Sequence, residues 1–88
     1  MIKLLDFYAD WCGPCKIMKP VFESVEKEYK DKIEFQKVDV EIDGTLTEAY
    51  GIMSIPTFVI EKDKVELDRK QGAMPLEVFK SWIDSHIS

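Results

Sequence analysis

Cys12 and Cys15 are the only cysteines of the sequence and stand in a Cys-x-x-Cys spacing. Sulfurs one helical turn apart can bridge and part with little movement. A bridge closing so short a loop constrains the unfolded chain little, so its purpose is chemical. The string Trp11-Cys12-Gly13-Pro14-Cys15 lies where an apolar run ends and a helical pattern begins. Cys12 therefore falls at a helix N-terminus, where unpaired N–H groups and the positive end of the dipole favour an anion. Such a position lowers the pKa of a thiol, which makes Cys12 the attacking thiolate. Cys15, one turn further in, is expected to be more buried and to resolve a mixed disulfide on Cys12. Asp6 is the one charge inside the apolar run and lies six residues before Cys12. Burial raises the pKa of a carboxylate, and Asp6 is then placed to take the Cys15 proton, directly or through a water.

Each of these residues has a plainer reading. Cys-x-x-Cys is also half a zinc site. Structural zinc takes four protein ligands, however, and the sequence offers only the distant His86 in addition, so no metal is expected. His86 itself reads as a solvated residue in a last helical turn, facing the favourable end of the dipole. Asp6 read plainly is a structural carboxylate satisfied by Lys37 or by backbone. Trp11, just before an exposed thiol, reads as part of a contact surface, and Trp82 as core.

The elements that must position these groups follow from the punctuation. Lys3 to Ala9 is short and apolar on both faces, as in a buried central strand. Pro14 suits the first turn of a helix, because its missing N–H removes no bond there. Ile17, Met18, Val21, Phe22, Val25 and Tyr29 then form one apolar stripe, with a kink expected at Pro20. Ile33 to Val40 reads as a second strand. Asp43 can cap a short helix over Gly44 to Tyr50, closed at Gly51. Thr57 to Ile60 and Val65 to Arg69 read as a hairpin around Lys62-Asp63-Lys64. Pro75 opens a last helix whose buried stripe is Leu76, Phe79, Trp82, Ile83 and Ile87. A βαβ unit followed by helix, hairpin and helix predicts a mixed four-stranded α/β sheet with helices on both faces.

Eighty-eight residues allow one domain, 1–88, with a modest core. Hydrophobic residues at 45% and ten aromatic side chains exclude disorder. Twelve basic against seventeen acidic side chains give a net charge of −5, which lacks the basic footprint of nucleic-acid binding. The uncharged runs are too short for a membrane span. Met1-Ile2-Lys3-Leu4-Leu5 meets Asp6 too early for a signal-peptide core, so a cytoplasmic location is expected.

Leu5-Asp6-Phe7-Tyr8-Ala9-Asp10-Trp11-Cys12-Gly13-Pro14-Cys15-Lys16 resembles the signature of the thioredoxin family. The likeness continues in Pro20, in Ile55-Pro56-Thr57 and in Gly72, and it spans nearly the whole chain. The resemblance implies a minimal thioredoxin-like fold: a four-stranded mixed sheet of order 2-1-3-4, with three helices on both faces. It implies a protein-disulfide reductase whose catalytic residues are Cys12, Cys15, Asp6 and Lys37. Cys12 would be the nucleophile, Cys15 the resolving thiol, Asp6 the buried acid/base and Lys37 its neighbour. A substrate surface of Trp11, Gly13, Pro14, Ile55, Pro56, Gly72 and Ala73 is implied too, with Pro56 in the cis form facing the sulfurs. The Ile55 backbone would pair with an extended substrate strand. The redox-active disulfide would be the sole cofactor. Protein disulfides would be the substrates, and a thioredoxin reductase or equivalent donor the partner of a monomer.

Two departures from the family pattern stand out. Tyr8 occupies a position where most thioredoxins carry tryptophan, and the family's N-terminal strand and helix are missing ahead of Asp6. The smaller layout admits a glutaredoxin-like, glutathione-dependent reductase, which Gly13-Pro14 and Trp11 oppose. A binding subunit with an idle redox centre is the remaining alternative.

Overall fold

The computed structural model describes residues 1–87. Its central strand, β1 (Ile2–Tyr8), is buried from Leu4 through Phe7 and so must be covered on both faces. Strand β2 (Ile33–Asp39) pairs with it in parallel, with Asp6 opposite Lys37 and Tyr8 opposite Asp39. Helix α1 (Gly13–Tyr29) makes the crossover between them and runs through Pro20 as one element. On the other side of β1 lies β3 (Thr57–Lys62), antiparallel to it and to β4 (Val65–Gln71). The sheet order is β2-β1-β3-β4, as the resemblance implies. Short α2 (Gly44–Ala49) precedes β3, and α3 (Leu76–Ile87) closes the chain of elements.

Alternation along the strands divides the core. Leu4, Ile33, Phe58 and Ile60 face Met18, Phe22 and Val25 of α1 and Phe79 and Ile83 of α3. Leu5, Phe7, Val38 and Val59 face the other way, toward Leu46 and Tyr50 around α2. Phe58 is central to the larger layer, with ring centroids 4.8 Å from Phe79 and 6.4 Å from Phe22. Polar ties hold the helices: Tyr29 Oη donates to Asp84 Oδ1 at 2.7 Å, and Lys80 Nζ lies 3.0 Å from Glu28 Oε1. Asp43 caps α2 as expected, its Oδ1 accepting from the Leu46 amide at 3.0 Å.

Several sequence expectations shift. The first strand lies one residue earlier than Lys3–Ala9. The hairpin strands extend to Lys62 and Gln71, so the turn narrows to Asp63-Lys64. Both turn residues take positive φ, 50° and 70°, which matches the twist of a two-residue hairpin without glycine. Ile17 is exposed rather than part of the buried stripe. The stripe that faces the sheet runs through Met18, Phe22, Val25 and Tyr29, and Ile17 lies a step round the helix from it. Trp82 sits at the margin of the core because its Nε1 donates to Asp68 Oδ2 at 3.0 Å. His86 is not simply solvated: its Nε2 lies 3.0 Å from the same oxygen, with its ring edge-on to Trp82.

Because Phe58 touches α1 and α3 together, Phe58→Ala is expected to remove about 3–5 kcal/mol of stability. Urea unfolding monitored by circular dichroism checks this. A loss below about 1 kcal/mol would show that the aromatic layer does not hold the two helices to the sheet.

Candidate active site

The chain leaves β1 at Tyr8 and enters α1 at Gly13, a passage too short for any excursion. The Cys12 amide donates to the Ala9 carbonyl at 3.2 Å, and the Lys16 amide to the Cys12 carbonyl at 3.1 Å. Cys12 takes the N-cap position of α1 with extended backbone, φ −83° and ψ 115°. Its Sγ accepts from the Cys15 amide at 3.2 Å, the role a capping oxygen normally fills. That N–H and the helix dipole both stabilise negative charge on Cys12 sulfur. Gly13-Pro14-Cys15-Lys16 carry no acidic side chain to oppose it.

Cys12 and Cys15 are joined as a disulfide, with their Cα atoms 5.2 Å apart. The expected contrast in burial is not seen. Cys12 is 4% exposed and Cys15 8%, so Cys15 is not the more shielded of the two. Cys12 lies under Ile55, whose carbonyl oxygen is 3.8 Å from its Sγ, and packs with Ala9 and Val40. What separates the two sulfurs is their surroundings.

On the Cys15 side a cleft of about 250 Å³ is lined by Asp6, Tyr8, Asp10, Lys16, Lys19 and Lys37 among others. Asp6 is 4% exposed, and its Oδ1 has no hydrogen-bond partner among the described residues. Burial lifts its pKa from 3.8 to about 6, and the Lys37 charge pulls it back only in part. The plain reading of Asp6 as a paired structural carboxylate is therefore not what the structure shows. Lys37 stands opposite Asp6 in the strand register, yet its Nζ sits 4.6 Å from the centroid of the Tyr8 ring. Val40 and Ile55, which pack with Cys12, also line a mostly apolar hollow of about 200 Å³ together with Trp11, Ile52 and Met53 among others.

Of the remaining expected residues, Trp11 and Ile55 line this hollow, and the others lie near them in the chain or on the loop after β4. Trp11 is 65% exposed, and Gly13 and Pro14 lie open beside it. The Ile55–Pro56 peptide is cis, and Pro56 is buried. The Pro56 carbonyl accepts from the Gly72 amide at 2.9 Å, which ties the β4–α3 loop to the Pro56 loop. Gly72 has φ +87°, a backbone region that favours glycine, and Ala73 follows it on the surface.

Three contributors had escaped the sequence reading. Glu41 Oε1 accepts from Trp11 Nε1 at 2.7 Å and fixes the indole. Parallel pairing of β1 and β2 brings the residues beyond Tyr8 and Asp39 to one sheet edge, which was the signal available. Met53, 94% exposed, extends the apolar hollow, and Tyr8 carries Lys37 on its ring. Neither has a spacing motif. Among the described residues no group of three or more His, Cys, Asp or Glu could hold a metal ion, and His86 stands with Asp68 and Trp82.

Comparison with known proteins agrees with this geometry. The family model described as thioredoxin matches residues 1–85. The chain is 37% identical to the thioredoxin of Bacillus subtilis over 86 residues, covering 98% of this chain and 83% of that protein. Thioredoxin of Staphylococcus epidermidis is 38% identical with the same coverage. Among solved structures, the germline-specific thioredoxin Deadhead of Drosophila melanogaster superimposes with a TM-score of 0.91 at 35% identity, covering 98% of this chain and 81% of that one. An asparagine-to-glutamine variant of thioredoxin from Halobacterium salinarum gives 0.89 at 33% identity, covering 99% and 75%. Sequence, fold and the paired cysteines converge: the chain belongs to the thioredoxin family, the thiol–disulfide oxidoreductases that reduce protein disulfides.

Proposed function

We propose that Cys12 is the nucleophile, Cys15 the resolving thiol and Asp6 the acid–base group of a cytoplasmic, monomeric protein-disulfide reductase in which residues 1–88 act as one unit. The carrying observation is the division of surroundings: Cys12 caps α1 and packs with Val40 and Ile55, which line the apolar hollow, while Cys15 and Asp6 line the polar cleft. In the reduced form the Cys12 thiolate attacks one sulfur of a substrate disulfide. The substrate bond breaks, a mixed disulfide forms on Cys12, and the other substrate sulfur leaves as a thiolate that takes up a proton. Cys15 then gives its proton to ionised Asp6 and attacks the Cys12 sulfur. The Cys12–Cys15 bond forms, the bond from Cys12 to the substrate breaks, and the second substrate sulfur leaves as a thiolate that takes a proton from Asp6 or solvent, so two electrons pass to the substrate. A thioredoxin reductase or equivalent dithiol donor returns them, and the disulfide itself is the sole cofactor.

Docking uses backbone more than side chains. The Ile55 carbonyl beside Cys12 is placed to pair with an extended substrate strand. Trp11, Gly13, Pro14, Gly72 and Ala73 surround it with apolar or small groups that a varied sequence can cross. Pro56 shapes the loop that presents Ile55. Lys37 acts on Asp6 rather than on the sulfurs, through charge across the cleft.

Cys12→Ser is expected to abolish reduction of a protein disulfide such as insulin, and Cys15→Ser to accumulate a mixed disulfide visible by mass spectrometry. Undiminished turnover by Cys12→Ser would remove the assignment. Recycling by a flavoprotein reductase but not by glutathione is the expected result of pairing each donor with the protein. The buried carboxyl also sets a stability profile. The unfolded group ionises near its ordinary 3.8 and the folded one at about 6, so stability is complete below the lower value and falls as pH rises through the upper. Asp6→Asn is therefore expected to be about 3 kcal/mol more stable than the parent at pH 7, with the gain gone at about pH 3. Urea unfolding of the disulfide form at both pH values decides it, and a destabilised Asp6→Asn at pH 7 would mean that Asp6 is paired after all.

A further inference from the structure

Asp6 and Tyr8 project from the same face of β1, two residues apart, and Lys37 stands opposite Asp6 on β2. A lysine directly across from a buried carboxyl has the reach to neutralise it. Among the described residues, however, no ion pair joins them. The Lys37 ammonium instead lies over the Tyr8 ring, 4.6 Å from its centroid, within cation–π range. We propose that Tyr8 is a positioning residue whose ring holds the Lys37 ammonium away from Asp6, leaving that carboxyl unpaired beside Cys15. The inference deepens the acid–base role given to Asp6 above and rests on it for its functional meaning.

The chemistry requires this separation. A carboxyl locked in a salt bridge stays ionised at neutral pH and is too weak a base to take up the Cys15 proton. A carboxyl with no cation near it resists ionisation and accepts the Cys15 proton poorly. Lys37 held at one remove stabilises the ionised form through space without fixing it, and Asp6, raised to about 6, can both take and return a proton. Other charged groups around the carboxyl are accounted for. Lys16 and Lys19 of α1 and Asp10 of the turn line the same cleft as Cys15. Asp39 of β2 stands opposite Tyr8, and β3 places uncharged Phe58 against Asp6. Of these, Lys37 is the one whose charge bears on Asp6, so the place where it rests matters most.

The test follows the Asp6 carboxyl carbon by ¹³C NMR against pH, in the disulfide form so that no thiol titrates. Tyr8→Phe keeps the ring and is expected to leave the Asp6 midpoint in place. Tyr8→Leu frees Lys37 and is expected to lower the midpoint by about half a pH unit. Lys37→Met is expected to raise it, and in that background Tyr8→Leu should no longer lower it. An unchanged midpoint in Tyr8→Leu, or an equal fall with Lys37 absent, would overturn the proposal. Tyr8→Val gives the same readout should Tyr8→Leu not fold. The parent alone supplies a further check: the Lys37 ε-methylene protons should be shifted upfield by the Tyr8 ring current, and unshifted protons count against the contact. The pH profile of mixed-disulfide resolution then separates the two claims. If it fails to follow the Asp6 midpoint across these variants, the acid–base role of Asp6 falls while the Tyr8–Lys37 restraint is still decided by the titration.

Discussion

The hydrogen bond from the Cys15 amide to the Cys12 sulfur depends on how quickly β1 passes the chain to α1. With the two elements so close, the N-terminal N–H groups of the helix must find acceptors within the turn itself. A sulfur at the N-cap meets that need and is in turn stabilised as an anion. The same brevity fixes the sulfurs relative to β1, and therefore relative to Asp6, whose side chain points to the α1 face of the sheet. Lengthening the passage would disconnect the sulfur from its donor and from its carboxyl at once. The active turn is thus a consequence of strand–helix spacing more than of any single side chain.

Asp6 is tolerable because the rest of β1 is so apolar. Leu4, Leu5 and Phe7 fill both layers of the core, and the aromatic set of Phe22, Phe58 and Phe79 closes the larger one. In a chain this small the destabilisation from one buried ionised group is a large fraction of total stability. The cleft beside Cys15 moderates it, since Asp6 is among its lining residues and so has a route to solvent. Function and stability pull against each other at one residue, and the even packing of the surrounding strand lets function prevail.

Most of this was legible in the sequence. Strand and helix order followed from period and punctuation, and the Cys-x-x-Cys turn with an acid beneath it announced its chemistry. The misses have physical causes. Ile17 is apolar but lies on the flank of α1, and hydropathy does not record which side of a helix meets the sheet. The exposure contrast between the cysteines failed because the Ile55–Pro56 loop, far off in sequence, covers Cys12. Glu41 and Tyr8 act through register, which appears only once β2 is laid beside β1. His86 found Asp68 across the β4–α3 junction, a pairing with no local signal.

The two sides of the disulfide also explain how one short turn can be promiscuous and directional together. In the mechanism proposed above, substrate meets the Cys12 side, where the Ile55 carbonyl, the hollow lined by Val40 and Ile52, and exposed Trp11 and Met53 offer backbone pairing and apolar area. Such contacts depend little on substrate sequence, because every extended chain carries the same N–H and C=O groups. On the same reading, direction comes from the other side, where Cys15 shares a cleft with the buried Asp6 carboxyl. The proposed mechanism thus has a single wall of two sulfurs dividing recognition from proton transfer. Glu41 keeps Trp11 at the recognition edge, and Tyr8 and Lys37 belong to the proton-transfer side. Variation on either side of that wall can therefore retune partner choice or pH response separately, with the disulfide itself unchanged.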